Sequence, residues 1–373
     1  MSRDGREDGA APPGIDDAVD LPGEVREEDR LDRDRLATFL RSAFPGFQGP
    51  VEVEQFRQGH SNLTYLVRFG GLEAVLRRAP HGANVKTAHD MKREFTILSA
   101  LRGVYSKAPR PLAFCEDESV AGARFYLMER VRGVILRRGG APGVELTPAL
   151  LGALSRAFVD DLAALHAVDA TRGPLAHIGK PQGYVERQVK GWTERYLRAK
   201  TDEVPLAEAV AAWLGRNLAP ETGAALVHND FKYDNLVLDP ADLTHIVAVL
   251  DWEMATVGEP LMDLGSSLGY WVDPDDPPEM QALAFGPTNL PGNLTRTGIV
   301  ERYAARTGRD PGPMLFHYVF ALFKLAVIVQ QIYKRFRDGK TTDERFAVLG
   351  AAVQVLCAQA VRAVEKGRIQ GLG

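Results

Sequence analysis

This 373-residue chain has two cysteines, little net charge beyond its first thirty residues, and no unbroken apolar run of membrane-spanning length. Each shortage removes a class of protein. Cys115 and Cys357 lie far apart without metal-type spacing, so they read as thiols of a reducing compartment and not as a disulfide. Residues 1–30 hold ten Asp/Glu and four Arg, a net of −6 against −4 for the whole chain, which leaves +2 for residues 31–373. A nearly neutral folded part makes nucleic acid an unexpected partner. The apolar stretch from Met314 to Tyr333 is interrupted by His317, Lys324, Gln330 and Gln331. A charge at a bilayer centre costs roughly 2.5–3.5 kcal/mol, so the stretch reads as a central bundle helix, with no membrane partner. The N-terminus also lacks the basic start and apolar core of a signal peptide. The expected location is cytoplasmic.

What is present organises into two units. Residues 1–30, rich in Gly, Pro and charge, read as a disordered acidic tail. Residues 31–130 carry a first helix (32–44) and strand-like runs at 51–58, 63–69 and 73–78, with Gly70-Gly71 as the hairpin turn. A helix over 88–101 and strands at 112–115 and 124–129 complete this part. From Pro148 onward helical spacing dominates, at 148–168, 181–200, 205–218, 294–307, 314–337 and 342–367. Strand propensity returns only at 235–238 and 245–250, around the turn Asp239-Pro240. The expected fold class is α+β: a small β lobe with one helix, joined through Arg130 to Gly133 to a larger helical lobe over 131–373. A cleft between such lobes is a common ligand site.

The chemistry is concentrated between Val227 and Gly265. His228-Asn229-Asp230 is followed by Asn235, five residues after Asp230, and by Leu250-Asp251, 21 residues after it. Phosphoryl transfer asks a protein for positioning and charge neutralisation more than for covalent chemistry. Asp230 can take the hydrogen bond of an acceptor hydroxyl. Asn235 and Asp251 supply hard oxygen ligands suited to magnesium, and a hairpin turning at Asp239-Pro240 brings them together. Lys232 can reach a transferring phosphate. Alone, each would be a turn or loop-edge residue; the joint spacing is much rarer. Asp263 reads as a structural carboxylate, either at a helix N-terminus or tying down the catalytic loop, and His228 as a packed loop histidine.

These segments resemble the aminoglycoside phosphotransferase and choline kinase group, which has a protein-kinase-like bilobed fold, and in particular the kinase-like domain attached to some acyl-CoA dehydrogenases. The resemblance covers about residues 35–360. It implies Asp230 as catalytic base, Asn235 and Asp251 as Mg2+ ligands, and ATP as phosphate donor. It places the phosphate-covering turn at Gln58-Gly59-His60-Ser61-Asn62, so Gly59, Ser61 and Asn62 become nucleotide-binding candidates, their backbone N–H groups cradling phosphate. Glu129 and Val131 would meet the adenine edge through their backbone. Glu94 matches the acid that steadies the nucleotide-binding cation, and here that cation is Arg77 where Lys is usual.

The acceptor is expected to be a hydroxyl of a small molecule. Only 11 residues separate Asp251 from Asp263, too few for a peptide platform. Asp273, Asp275, Asp276 and Glu279 could attract a cationic aminoglycoside, or form a solvated loop. Lys334, Arg335, Arg337 and Lys340 could meet an anionic substrate, or complement a helix C-terminus. The dehydrogenase-linked resemblance implies a hydroxyacyl-CoA-like acceptor. A nucleotide-binding module of the same fold with weak turnover is the alternative, since Arg77 is atypical. Oligomeric state is left open.

Overall fold

The computed structural model describes residues 19–56, 62–80, 90–341 and 344–373. The first lobe opens with α1 (Arg33–Ala43), whose N-cap Asp32 accepts the Asp34 and Arg35 amides at 3.1 and 3.0 Å. Strands β1 (Glu52–Phe56), β2 (Leu63–Phe69) and β3 (Leu72–Arg78) follow, then α2 (Met91–Leu101), β4 (Pro111–Cys115), the single turn α3 (Glu118–Ala121) and β5 (Phe125–Glu129). The five strands form one antiparallel sheet in the order β1-β2-β3-β5-β4. Gly70 and Gly71 turn the β2–β3 hairpin with φ of 53° and 78°, the left-handed pair that a two-residue hairpin favours.

Alternation along the strands gives the sheet two different faces. Ala74, Leu76, Tyr65, Val67, Phe125 and Leu127 bury against Leu36 and Leu40 of α1. Val75, Tyr126 and Met128 point the other way, into the core that α2 shares with the second lobe. Consecutive arginines at the end of β3 therefore part company: Arg77 goes to the inner face, and Arg78 bonds the Tyr65 hydroxyl and the Ala121 carbonyl on the outer one.

The second lobe contains α4 (Pro148–His166), α5 (Tyr184–Ala199), α6 (Pro205–Arg216), β6 (Ala225–Val227), β7 (Leu236–Asp239), β8 (Asp242–Val249), β9 (Thr256–Gly258), α7 (Pro260–Tyr270), α8 (Pro278–Gln281), α9 (Arg296–Thr307), α10 (Leu315–Arg337) and α11 (Leu349–Lys366). Helix starts follow local chemistry, as at α4, where Thr147 caps the Leu150 amide and Pro148 takes the first position. The strands form two antiparallel pairs: β6–β9 brackets the segment from His228 to Asp251, and β7–β8 lies within it. Helix α10 is central, with 78% of its most apolar window buried inside the protein, so its apolar length serves the core. Helix α7 lies unusually close to it. A Cβ at Gly265 would stand 2.7 Å from the His317 Cβ, and one at Gly269 2.8 Å from the Ala321 Cβ.

One expectation needs correction. The composition predicts a disordered tail over residues 1–30. Residues 1–18 lie outside the described residues, but 19–30 dock on the first lobe. Val19 bridges Val134, Gly23 exchanges backbone hydrogen bonds with Gln55 at 2.9 and 2.8 Å, and Asp29 is buried. The apolar content of this segment is low, and strand-edge pairing supplies the order that hydrophobicity does not.

Candidate active site

Arg77 sits at the centre of the first half of the site. Its guanidinium donates to Glu94 Oε1 from α2 and, through Nη2, to Asp251 Oδ1 at 3.0 Å. Burial opposes ionisation of all three groups, but Arg77 overcomes it for Asp251 and holds that carboxyl below the usual range. Glu94 fares otherwise: burial, aided by the Asp251 charge, leaves it at about 7 despite Arg77. Glu253, two residues beyond Asp251, is pushed up to about 8 by burial and the same neighbour. Asn62 donates its Nδ2 to Glu253 Oε2 at 2.9 Å, which ties the end of the β1–β2 turn to this group. Three carboxyls thus face one guanidinium, an imbalance that a divalent cation would relieve.

Asn235 and Asp251 meet as the β7–β8 hairpin requires. The Leu250 amide donates to the Asn235 carbonyl at 2.8 Å, and both Asn235 and Asp251 line the cleft between the lobes. Asn235 Nδ2 donates to the Asp230 carbonyl and to Asp230 Oδ2, both at 2.8 Å, which leaves Oδ1 to the cleft. Asp251 adopts φ +67°, a left-handed conformation uncommon outside glycine, and starts a 3₁₀ turn pinned by Trp252 Nε1 on the Val249 carbonyl at 2.8 Å. An amide oxygen and an ionised carboxylate, with two further carboxyls beside them, form a donor set that fits magnesium.

The cleft is partly open to solvent, with Val75, Met128, Val131, Val237 and Leu250 as apolar walls. The Glu129 side chain turns away to accept the Arg110 amide at 2.8 Å, so this residue offers the cleft its backbone. Asn62, Arg77, Glu129 and Val131 all line the cleft, and Glu94 stands behind Arg77. Gly59 and Ser61 lie outside the described residues.

Asp230 marks the second half. Its Oδ1 accepts the Tyr270 hydroxyl at 2.6 Å, and its Oδ2 faces Lys232 Nζ at 3.3 Å. Lys232 also pairs with Asp234 at 3.6 Å and stands 4.7 Å from the centre of the Tyr270 ring. Burial works against its charge, yet Asp230, Tyr270 and Asp234 hold the ammonium well above its ordinary range. Lys232 lines a small cavity with Tyr270 and Phe285, and Asp234 lines both this cavity and the interlobe cleft.

The loop carrying Asp230 is fastened from several sides. Asp263, fully buried, accepts the His228 and Asn229 amides at 2.6 Å each and is met by His166 Nε2 at 3.0 Å. It is thus the loop anchor that the sequence offered as one reading. The Asp230 amide donates to His228 Nδ1 at 3.2 Å, so Nε2 is the donor to the Leu250 carbonyl at 3.0 Å. Burial lowers the His228 pKa, in keeping with a neutral packed ring. Asn229 has φ +65°; Lys324 from α10 donates to its carbonyl at 2.5 Å. Four members of this arrangement were not singled out as such: Glu253, Tyr270 as a partner of Asp230, Lys324 and His166. Only Glu253 carries a local signal, in Asp251-Trp252-Glu253; the others lie tens of residues from the loop and reach Asp230, Asn229 and Asp263 through the fold.

Most residues of the acidic loop and of the basic helix end are engaged in ion pairs. Arg296, fully buried, takes both oxygens of Asp276 at 2.6 Å and pairs with Asp273 at 3.4 Å, while Glu279 pairs with Arg362 at 3.2 Å. Lys334 pairs with Asp338 at 3.2 Å and Arg337 with Asp202 at 2.9 Å at the end of α10.

Residues 52–296 match the model of a phosphotransferase enzyme family. The rat acyl-CoA dehydrogenase family member 11 is 34% identical over 340 residues, which is 89% of this chain and 43% of that protein. The chain therefore spans less than half of this curated relative. Among solved structures, a Ralstonia eutropha protein named for the aminoglycoside phosphotransferases superposes with TM-score 0.75 at 31% identity, covering 90% of this chain and 99% of that one. Choline kinase from Cryptosporidium parvum gives 0.63 at 14% identity, over 91% and 98% of the two chains. An aminoglycoside phosphotransferase complexed with AMP-PNP and hygromycin B gives 0.57 at 18% identity, over 88% and 98%. These neighbours share the protein-kinase-like fold.

Proposed function

This chain belongs to the phosphotransferase enzyme family, and from that premise we propose that it transfers the γ-phosphate of ATP to a hydroxyl of a small molecule. The observation that carries this reading is the convergence of Asp230, Asn235, Asp251 and the Arg77–Glu94 pair on one interlobe cleft. Arg77 binds the phosphates, and the backbone of Glu129 and Val131 meets the purine edge between apolar walls. Asn235 Oδ1 and the Asp251 carboxylate would hold Mg2+, which when bound neutralises phosphate charge. Asp230 orients the acceptor hydroxyl and receives its proton at a carboxylate oxygen. Tyr270 and Asn235 fix the plane of that carboxylate, and Lys232 balances its charge.

For the acceptor, the acidic loop is spent on Arg296 and Arg362, while Lys232 and Lys324 are the cations beside Asp230. That balance favours a neutral or anionic hydroxyl compound over a polycation such as an aminoglycoside. The name of the dehydrogenase relatives points the same way, to a hydroxyacyl-CoA-like acceptor. Two buried free thiols accord with a reducing, cytoplasmic setting. The second reading is a nucleotide-binding module with weak turnover. It draws on Arg77, which occupies one oxygen of Asp251.

The test is ADP release from labelled ATP with panels of hydroxyacyl-CoAs, amino alcohols, aminoglycosides and protein substrates. Asp251→Ala should lose both magnesium-ATP binding and turnover, and Asp230→Asn turnover alone. Nucleotide binding without transfer to any panel member selects the weak module; transfer to protein alone refutes the small-molecule reading.

A further inference from the structure

Residues 19–29 play no part in the proposed chemistry, yet they are built into the wall of the nucleotide cleft. The Asp20 amide donates to the Gly133 carbonyl at 3.1 Å, directly after the connector between lobes. Further along, Gly23 pairs with Gln55 of β1, whose side chain also accepts the Arg26 amide at 2.9 Å and donates to buried Asp29 at 2.8 Å. The segment is thus a strap fastened to both the connector and the sheet.

Between those fastenings Asp20 is the one strap residue that lines the cleft. Its Oδ1 accepts Arg137 Nη1 at 3.0 Å, and Arg137 lines the same wall. Oδ2 has no hydrogen-bond partner among the described residues. A nucleotide with its purine edge at Glu129–Val131 and its phosphates at Arg77, Asn235 and Asp251 must carry its sugar between them. The wall beside the connector is Gly133, Asp20 and Arg137. A carboxylate already oriented by one guanidinium is a strong acceptor for a vicinal diol.

We propose that Asp20 is a nucleotide-recognition residue, its carboxylate accepting hydrogen bonds from the ribose hydroxyls of the bound triphosphate. The inference rests on the reading of this cleft as the nucleotide site. A strap residue then sets sugar preference, which the sequence around the catalytic loop gives no hint of.

The test titrates the full chain and its Asp20→Ala and Asp20→Asn variants with magnesium-ATP and with magnesium 2′,3′-dideoxy-ATP by calorimetry. The native chain should prefer ATP by about tenfold or more, the worth of a hydrogen bond to a charged group. Asp20→Ala should erase the preference while holding its dideoxy affinity within about twofold of native, and Asp20→Asn should fall between. An unchanged preference in Asp20→Ala overturns the proposal. So does an equal loss for both nucleotides, which would make the strap a clamp only. A native chain that binds ATP without discriminating removes this inference alone; one that binds neither nucleotide removes the nucleotide reading with it.

Discussion

Replacing Asp263 by Asn is the sharpest probe of how the catalytic loop is held. The carboxylate has no exposure, and it accepts the His228 and Asn229 amides at 2.6 Å each together with His166 at 3.0 Å. An asparagine keeps the shape but can present one oxygen only. Its NH2 group then faces a backbone N–H, donor against donor. One charge-assisted bond is lost, worth about 1.5–3 kcal/mol, and a buried donor is orphaned at about 1–3 kcal/mol. The sum is roughly 2.5–6 kcal/mol, a large share of the 5–15 kcal/mol typical of a domain. Urea unfolding followed by tryptophan fluorescence should show the midpoint falling with little change in slope. Turnover should fall as well, because Asp230 hangs from the displaced amides. A stability change under about 1 kcal/mol would refute the claim that Asp263 anchors the loop.

Three further outcomes are expected. Arg77→Met strands Glu94 and Asp251 without their cation, and should cost about 3–5 kcal/mol in the same assay; a neutral result would mean that the carboxyls are not sustained by it. Burial drives Lys324 from 10.5 to about 8, so keeping it charged costs about 3 kcal/mol at most. Because its folded pKa lies below the unfolded one, that cost is complete below pH 8 and fades as pH rises towards 10.5. The stability of the native chain relative to Lys324→Met should therefore rise across that window, and a flat difference would show that Lys324 is not buried as a charge. Deleting residues 1–30 removes the Arg26 and Asp29 partners of the buried Gln55 side chain and one of the Tyr65 hydroxyl's bonds, Arg78 remaining, and should cost about 2–4 kcal/mol. Deleting 1–18 leaves those bonds in place, so a loss of the same size there would contradict the docking.

Much of the architecture is legible in the sequence because it is written locally. Gly70-Gly71 announces its hairpin, Thr147-Pro148 opens α4, and apolar periodicity finds the long helices to within a few residues except at the start of α11, expected at 342 and observed at Leu349. Asp230, Asn235 and Asp251 stand out because one hairpin joins them, and their spacing along the chain survives into space. The rest fails for a common reason. Tyr270 carries no local signal, and α7 brings its hydroxyl onto Asp230, 40 residues back. Lys324 reads as an interruption of an apolar run until α10 crosses beneath Asn229. The pair β6–β9 is three residues long on each side, too short for any alternation to register. The strap is ordered by backbone pairing to β1 and to the connector, which composition does not encode.

Gly265 and Gly269 of α7, four residues apart, face His317 and Ala321 of α10 at distances no side chain could fill. The same two helices hold the loop by different handles: α7 through Asp263 and Tyr270, α10 through Lys324. The glycine pair therefore works as a spacer gauge, setting how far apart the two grips stand. A single methyl group added at Gly265 would touch no substrate and no ionised group, yet it would wedge the helices apart and shift one grip against the other. Sensitivity of turnover to alanine at these two buried, chemically silent positions is thus a property of helix spacing alone.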